Sequence, residues 1–293
     1  MQIDLNKLKR RPSYPFETIA VAVSFSPRCL PVMAEAKRFS ELLGAALILI
    51  HIGSKTTDKE KMLDDLMGEA GIDDSKCRII WMEGEPVETI LKLCKLHIVD
   101  LLIIGALVKE NFVKFYLGSI ARKISRKAKC SVLLLTNPTE KPHDYKKFVI
   151  NGIDNPKTIH TINTAFYLAK HLQVQDVNIV NETEIIGLDA APAFENVDEK
   201  TKKLQKNIAA NTEESLQSII EKNRTADFNI ITKNITGKPG YAISKFAKDE
   251  KADLLIINSP DIQLSFVDRI FTHDIEYILA DLPCNLLIIH SRL

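Results

Sequence analysis

The sequence predicts an α/β fold in two tandem copies, each an open, doubly wound parallel sheet of five strands. Three observations carry the prediction. Strand-sized apolar runs alternate with helical patterns from Thr18 onward, and parallel neighbours cannot be joined by hairpins, so the alternation means βαβ crossovers. The strand interiors are continuously apolar, as a sheet covered by helices on both faces requires. Residues 84–106, GEPVETILKLCKLHIVDLLIIGA, align without a gap with residues 237–259, GKPGYAISKFAKDEKADLLIINS, at an offset of 153. A register held that long marks a duplicated domain.

The first copy begins with a β-rich run, Thr18 to Val23, ended by the turn residues Ser24-Phe25-Ser26-Pro27. A helix is expected from about Leu30 to Leu43, closed by Gly44. Ala46 to Ile52 is the second strand, Lys59 to Ala70 a short charged helix and Arg78 to Met82 the third strand. Gly84-Glu85-Pro86 then opens a helix running to about His97, with proline suited to its first turn. Leu101 to Ile104 reads as a buried strand, followed by a loop from Gly105 and a turn at Gly118-Ser119. That turn launches a helix from Ile120 to Lys129, and Val132 to Leu135 completes the sheet.

The segment NPTEKPHDYKK after Thr136 reads as a linker. The pattern restarts with a strand from Phe148 to Ile153, a helix from Thr161 to Leu172 and a strand from Val177 to Val180. From the end of strand one to the glycine turn the copies span 60 and 83 residues. The extra residues fall around Thr183 to Lys203, before a long polar helix to about Asn223. They read first as a surface excursion and second as a partner-docking element.

Composition narrows the function classes. The 293 residues suffice for two cores, and 45% hydrophobic and 26% charged residues with a net charge of +1 describe a globular chain without a polyanion-binding surface. No nucleic-acid partner is expected. The charged N-terminus and the strand-sized apolar runs argue against a signal peptide or a membrane span, so a cytoplasmic protein is expected. Five scattered cysteines without a CxxC pair argue against a disulfide framework or a zinc site. Cys94 and His97, one helical turn apart, lack further ligands and read as a packed thiol and an unrelated imidazole. His51 reads as a core histidine with a hydrogen-bond partner.

The strand, the glycine turn and the Gly-Ser pair at a helix start present backbone N–H groups as an α/β protein does to a phosphate. Gly105, two residues, Val108, nine residues and Gly118-Ser119 together resemble the nucleotide-loop motif of the universal stress protein family. That motif is glycine, two residues, glycine, nine residues, glycine, then serine or threonine; Val108 replaces the middle glycine. The resemblance covers nearly the whole chain as two copies. It implies domains at 1–138 and 146–293 with strand order 3-2-1-4-5, packed about a pseudo-twofold axis. The apolar final strands, Val132 to Leu135 and Leu286 to Ile289, are the contact elements. A monomer holding this internal pseudo-dimer, or a homodimer, is expected.

The family resemblance also implies an adenine nucleotide, ATP or AMP, in the N-terminal copy, with Mg2+ only as a companion of ATP. Val23 and Ser24 would flank the base, with Ile52 from strand two. Ile104, Gly105 and Val108 would line the ribose, and Gly118, Ser119 and Ile120 would offer N–H groups and a hydroxyl to phosphate. Ser24 stands where the family usually has an aspartate, and Val108 adds a β-branched side chain where close approach is wanted. Both departures predict weaker binding than the full motif gives, or selection of AMP or ADP.

In the second copy Asp154 falls where that aspartate belongs, but Asn258, Asp261 and Phe271-Thr272 replace the loop glycines and the Gly-Ser pair, and Pro260 removes a donor. This copy is expected to bind no nucleotide phosphate and to serve as a structural or regulatory partner. The basic residues Arg122, Lys123, Arg126, Lys127 and Lys129 read as a solvated helix face, with Arg122, Lys123, Lys109 or Lys114 as candidates to reach a phosphate. No nucleophile elbow, HExxH, lysine-bearing P-loop or acid/base carboxylate pair is present. The reading is a stress-response or signalling protein that binds a nucleotide without efficient catalysis. The alternatives are an interaction or scaffold protein of the same fold and a slow ATP hydrolase.

Overall fold

The computed structural model describes residues 14–108, 115–116, 118–153, 155, 157–183, 217–222, 227–259 and 272–290. Its first half runs β1 (Thr18–Val23), α1 (Cys29–Leu43), β2 (Ala46–Ile52), α2 (Thr57–Ala70), β3 (Cys77–Met82), α3 (Pro86–Leu96) and β4 (Leu101–Gly105). A short antiparallel pair, β5 (Leu107–Val108) and β6 (Phe115–Tyr116), precedes α4 (Ser119–Lys127) and β7 (Ser131–Leu135). The second half runs β8 (Lys147–Asn151), α5 (Thr158–His171), β9 (Asp176–Thr183), β10 (Asn229–Thr236), α6 (Tyr241–Asp249), β11 (Leu254–Asn258), α7 (Thr272–Ala280) and β12 (Asn285–Ile289). Residues 217–222 are also helical.

Local chemistry sets the element ends. Gly44 and Gly71 close α1 and α2 in the left-handed conformation, which glycine adopts without a Cβ penalty. Pro86 opens α3, where the Glu85 carboxylate accepts from Glu88 N at 2.8 Å. The β3–α3 turn needs the repeated glycine for steric reasons: Gly84 has φ +146°, and a Cβ there would sit 2.5 Å from Thr89 Oγ1.

Each half has strand order 3-2-1-4-5, as expected: β3-β2-β1-β4-β7 and β10-β9-β8-β11-β12. The halves do not stay separate sheets. β7 and β12 pair antiparallel, making one ten-stranded sheet that is parallel within each half. The register is Leu134 to Leu286, Leu133 to Leu287 and Val132 to Ile288. Leu133 thus faces its own repeat equivalent, so a pseudo-twofold axis passes through that pair. Side chains at the strand ends obey the same symmetry: Thr136 N donates to Asn285 Oδ1 at 2.9 Å, and His290 N donates to Ser131 Oγ at 3.3 Å.

Apolar side chains cover both faces of the joined sheet. One layer packs β-strand residues of both halves against α1, α2 and α5; the other packs them against α3, α4, α6 and α7. The segment after β7, expected as a linker, is anchored: Tyr145 is buried edge-on to Phe39 and Phe148, and its hydroxyl accepts from Asn285 Nδ2 at 2.9 Å. The aspartates aligned in the repeat share a role. Asp100 Oδ2 accepts from Glu17 N and Thr18 N at 2.9 Å each, and Asp253 Oδ2 accepts from Lys146 N and Lys147 N at 2.7 and 2.8 Å. Each ties strand four of its half to the start of strand one.

Candidate functional site

The reversal of strand order between β1 and β4 opens a crevice at their carboxyl ends, where such sheets bind ligands. With β2 and the N-terminus of α4, these ends enclose a cleft of about 420 Å³. Val23 and Ser24 line it from β1, Ile52 from β2, and Ile104 and Gly105 from β4. Gly118, Ser119 and Ile120 line it from the start of α4. Val108 lies in the short β5, paired with Phe115, and its side chain lies outside the described residues.

The cleft divides into an apolar wall and a donor-bearing end. Ile50, Ile90 and Val32 contribute the wall. At the other end Gly118 caps α4 with no side-chain hydrogen bond, and the first turn holds no acidic residue. The N–H groups of that turn and the positive end of the helix dipole therefore remain available to an anion. Gly105 lets β4 pack closely on α1: a Cβ there would meet Val32 Cγ2 at 3.0 Å.

Two side chains in the cleft, and a third packed behind one of them, are not evident as site residues in the sequence. Arg28, the N-cap residue of α1, donates from its guanidinium to the carbonyl oxygens of Ala106 and Thr136, just beyond β4 and β7. Burial lowers its pKa, so the cleft carries a partly desolvated cation. Its partners are backbone atoms far along the chain, so only its position after strand one could have flagged it. His51 is a buried histidine with its hydrogen bond, as expected, between Nδ1 and Val23 O at 3.0 Å, and it also lines the cleft. Phe25, at φ +49°, packs on the rings of His51 and Trp81 with centroids 4.7 and 6.1 Å away. This aromatic packing holds a backbone conformation that a bulky residue otherwise disfavours.

The basic face of α4 is not simply solvated. Arg126 Nε donates to Glu276 Oε1 at 2.7 Å, and Arg122 Nη1 lies 3.7 Å from Glu276 Oε2, so both arginines reach α7 of the second half rather than the cleft. Cys94 is buried beside Cys130, whose contact with burial holds its pKa well above the usual thiol value. His97 lies instead near Arg78, with burial and that charge lowering its pKa. No cluster of metal-ligating side chains occurs among the described residues.

The second half can be compared position by position. Ile19 pairs with Leu101 and Phe148 with Leu254, so β1 and β8 correspond at an offset of 129. Ser24 then matches Ile153, one position before Asp154, which lies outside the described residues, as do Lys109, Lys114, Pro260, Asp261, Phe271 and residues 184–203. Cys29 and Val32 match Thr158 and Thr161, while Gly105 matches Asn258. The Asn258 amide accepts from Thr161 Oγ1 and donates to Thr158 Oγ1, the latter at 3.1 Å. An asparagine held by two threonines thus stands where the first half has a glycine packed beside Val32.

Comparison with known proteins agrees with this architecture. Residues 15–136 match the model of the universal stress protein family. No curated protein matches. Among solved structures, a functionally unknown protein from Pseudomonas aeruginosa PAO1 superposes with TM-score 0.67 at 16% identity, covering 98% of this chain and 95% of that one. A universal stress protein from Archaeoglobus fulgidus DSM 4304 superposes with TM-score 0.61 at 14% identity, covering 96% and 100%. At these identities the superpositions show a shared fold over both halves. No described helix is long and apolar enough to cross a membrane.

Proposed function

We propose, from the match of residues 15–136 to the universal stress protein family model, that the chain is a stress-response protein whose N-terminal half binds an adenine nucleotide, ATP or AMP, and holds it without efficient turnover. The observation that carries this reading is the convergence of the Gly105 loop and the Gly118-Ser119 helix start on one 420 Å³ cleft. The apolar wall of Ile50, Ile52 and Ile90 suits a base. The uncapped turn of α4 suits a phosphate, because its N–H groups and dipole favour negative charge.

Arg28 adds positive charge at the floor while holding the loop ends after β4 and β7 in place. Ser24 supplies a hydroxyl where an aspartate would supply an ionised acceptor, which weakens the hold on the ligand. Phosphoryl transfer also requires metal ligands and a positioned nucleophile; among the described residues, the side chains lining the cleft include neither a carboxylate nor a lysine. Binding and release, coupled to a protein partner, fit this lining better than chemistry. A domain of residues 1–138 would hold the nucleotide, and one of residues 146–293 would serve as its structural counterpart.

Isothermal titration with ATP and AMP, with and without magnesium, beside a Gly118→Phe variant, tests the reading. One saturable equivalent per chain, abolished by the variant, is the expected result. No binding up to millimolar nucleotide would leave an interaction protein of the same fold as the better description.

A further inference from the structure

Arg28 brings a positive charge into the N-terminal cleft, and nothing in the chain balances it. The residue is half-buried and lines the cleft together with Gly105 and the Gly118-Ser119 turn. A guanidinium carries five N–H donors. One on Nη1 goes to Ala106 O and one on Nη2 to Thr136 O, and three remain. Both partners are neutral carbonyls, and Arg28 forms no ion pair among the described residues. A cation drawn part-way out of water onto carbonyl dipoles alone is left short of compensation.

The guanidinium is also held in place. Ala106 N donates to Leu135 O at 2.8 Å, so the ends of β4 and β7 stay paired, and Thr136 N is fixed to Asn285 Oδ1 at 2.9 Å across the seam. Carbonyls from two neighbouring strands thus orient the fork before a ligand arrives. A donor fixed in advance loses less entropy on binding than a mobile surface arginine does.

The second half is built the other way. At the positions of Ala22 and Ile52 it carries Asn151 and Glu182. Glu182 accepts from Gly240 N at 3.0 Å and Ile243 N at 2.8 Å, so a carboxylate of the chain itself sits at the start of α6. In the first half Ile52 is uncharged, and no carboxylate lines the cleft among the described residues. The anion opposite Arg28 is left to a ligand. One guanidinium matches one phosphate. Further phosphates call for further cations, and among the described residues neither a lysine nor a cluster of metal-ligating side chains lines the cleft.

We propose that Arg28 selects the ligand: its remaining N–H groups grip a single phosphate, so the cleft takes a nucleoside monophosphate, without a divalent cation, in preference to a triphosphate. This rests on the nucleotide reading above and names the ligand class within it. Arg28 and the first turn of α4 hold the phosphate together, while the apolar wall holds the base.

Calorimetric titration of the full chain and of Arg28→Met with AMP, adenosine and ATP, in EDTA and in millimolar Mg2+, tests it. Adenosine keeps the base and ribose without the phosphate. The ratio of AMP to adenosine affinity therefore isolates the grip on phosphate from the anchoring of the loop ends, whose loss affects both ligands alike. The expected result is AMP binding equal in EDTA and Mg2+ and tighter than that of ATP, with the AMP-to-adenosine ratio about tenfold or more lower in Arg28→Met. Arg28→Lys, which keeps the charge and loses the fork, should lower the ratio about threefold or more, and it serves if circular dichroism shows that Arg28→Met does not fold. An unchanged ratio in a folded variant, AMP binding that needs Mg2+, or tighter binding of ATP overturns the proposal and leaves nucleotide binding intact. Failure of AMP, ATP and adenosine alike to bind the parent at millimolar concentration overturns the nucleotide reading itself and this proposal with it.

Discussion

Replacing Gly105 with asparagine puts into the first half the residue the second half carries at that position, and the structure sets the size of the effect. The new Cβ meets Val32 Cγ2 at 3.0 Å, so Val32 must give way. The amide then lies over Cys29 and Val32, which offer none of the hydroxyls that Thr158 and Thr161 give Asn258. An unmet buried polar group costs about 1–3 kcal/mol, so an amide with one donor side and one acceptor side loses about 2–4 kcal/mol. Urea denaturation reads this directly as a lower midpoint at unchanged slope. Adding Cys29→Thr and Val32→Thr restores the partners and should recover most of the lost stability. AMP binding should stay abolished in the triple variant, because the amide still fills the cleft. The reasoning fails if Gly105→Asn is as stable as the parent, if the triple variant is no more stable than the single one, or if the triple variant binds AMP normally.

Two further outcomes follow from the repeat. Asp100→Ala strands Glu17 N and Thr18 N, each bonded at 2.9 Å, and should cost about 2–4 kcal/mol in urea denaturation. Asp253→Ala, at a less buried position, should cost less; a neutral Asp100→Ala would refute a tying role for this pair. Burial raises the Glu182 pKa above the ordinary carboxyl value despite its two backbone donors. Its contribution to stability is therefore fully present below the unfolded pKa and lost as pH rises through the folded one. Glu182→Gln keeps an acceptor and removes the charge, so its stability relative to the parent should improve from acid to neutral pH. A parallel pair of stability–pH curves would contradict this.

Features written in short-range patterns were legible in the sequence. The parallel sheet of each half follows from βαβ crossovers, whereas its strand order and the meeting of Gly105 with Gly118-Ser119 were what the resemblance of the loop spacing to the family motif implied. β10 was harder to read. NIITKNIT forms a half-exposed edge strand whose apolar positions are too few to stand out from the polar segment before it. Arg28 could not be read as a cleft residue because its partners, Ala106 O and Thr136 O, lie 78 and 108 residues away and are backbone atoms. Distance also hid the role of the basic face of α4, since Glu276 lies 150 residues from Arg126. The second-half counterparts of the cleft residues needed the sheet register, because a repeat offset taken from β4 and β11 does not hold for β1 and β8.

The seam explains how the halves could diverge without separating. β7 and β12 are apolar and wholly buried along Val132 to Leu134 and Leu286 to Ile288, so an unpaired edge there would be a template for association with another chain. The outer edges, β3 and β10, are instead partly exposed and carry Arg78, Thr232 and Lys233, side chains that discourage such pairing. Joining the apolar edges to each other removes the exposed pair and leaves the blunt ones outside. The contacts that do this, from Leu133 facing Leu287 to Thr136 on Asn285, lie on strands five, whereas the cleft lies at the ends of strands one, two and four. Asn258, Asn151 and Glu182 could therefore enter the second half without weakening the seam. One half keeps Gly105 packed beside Val32, while the other carries Asn258 held by Thr158 and Thr161 on the same frame.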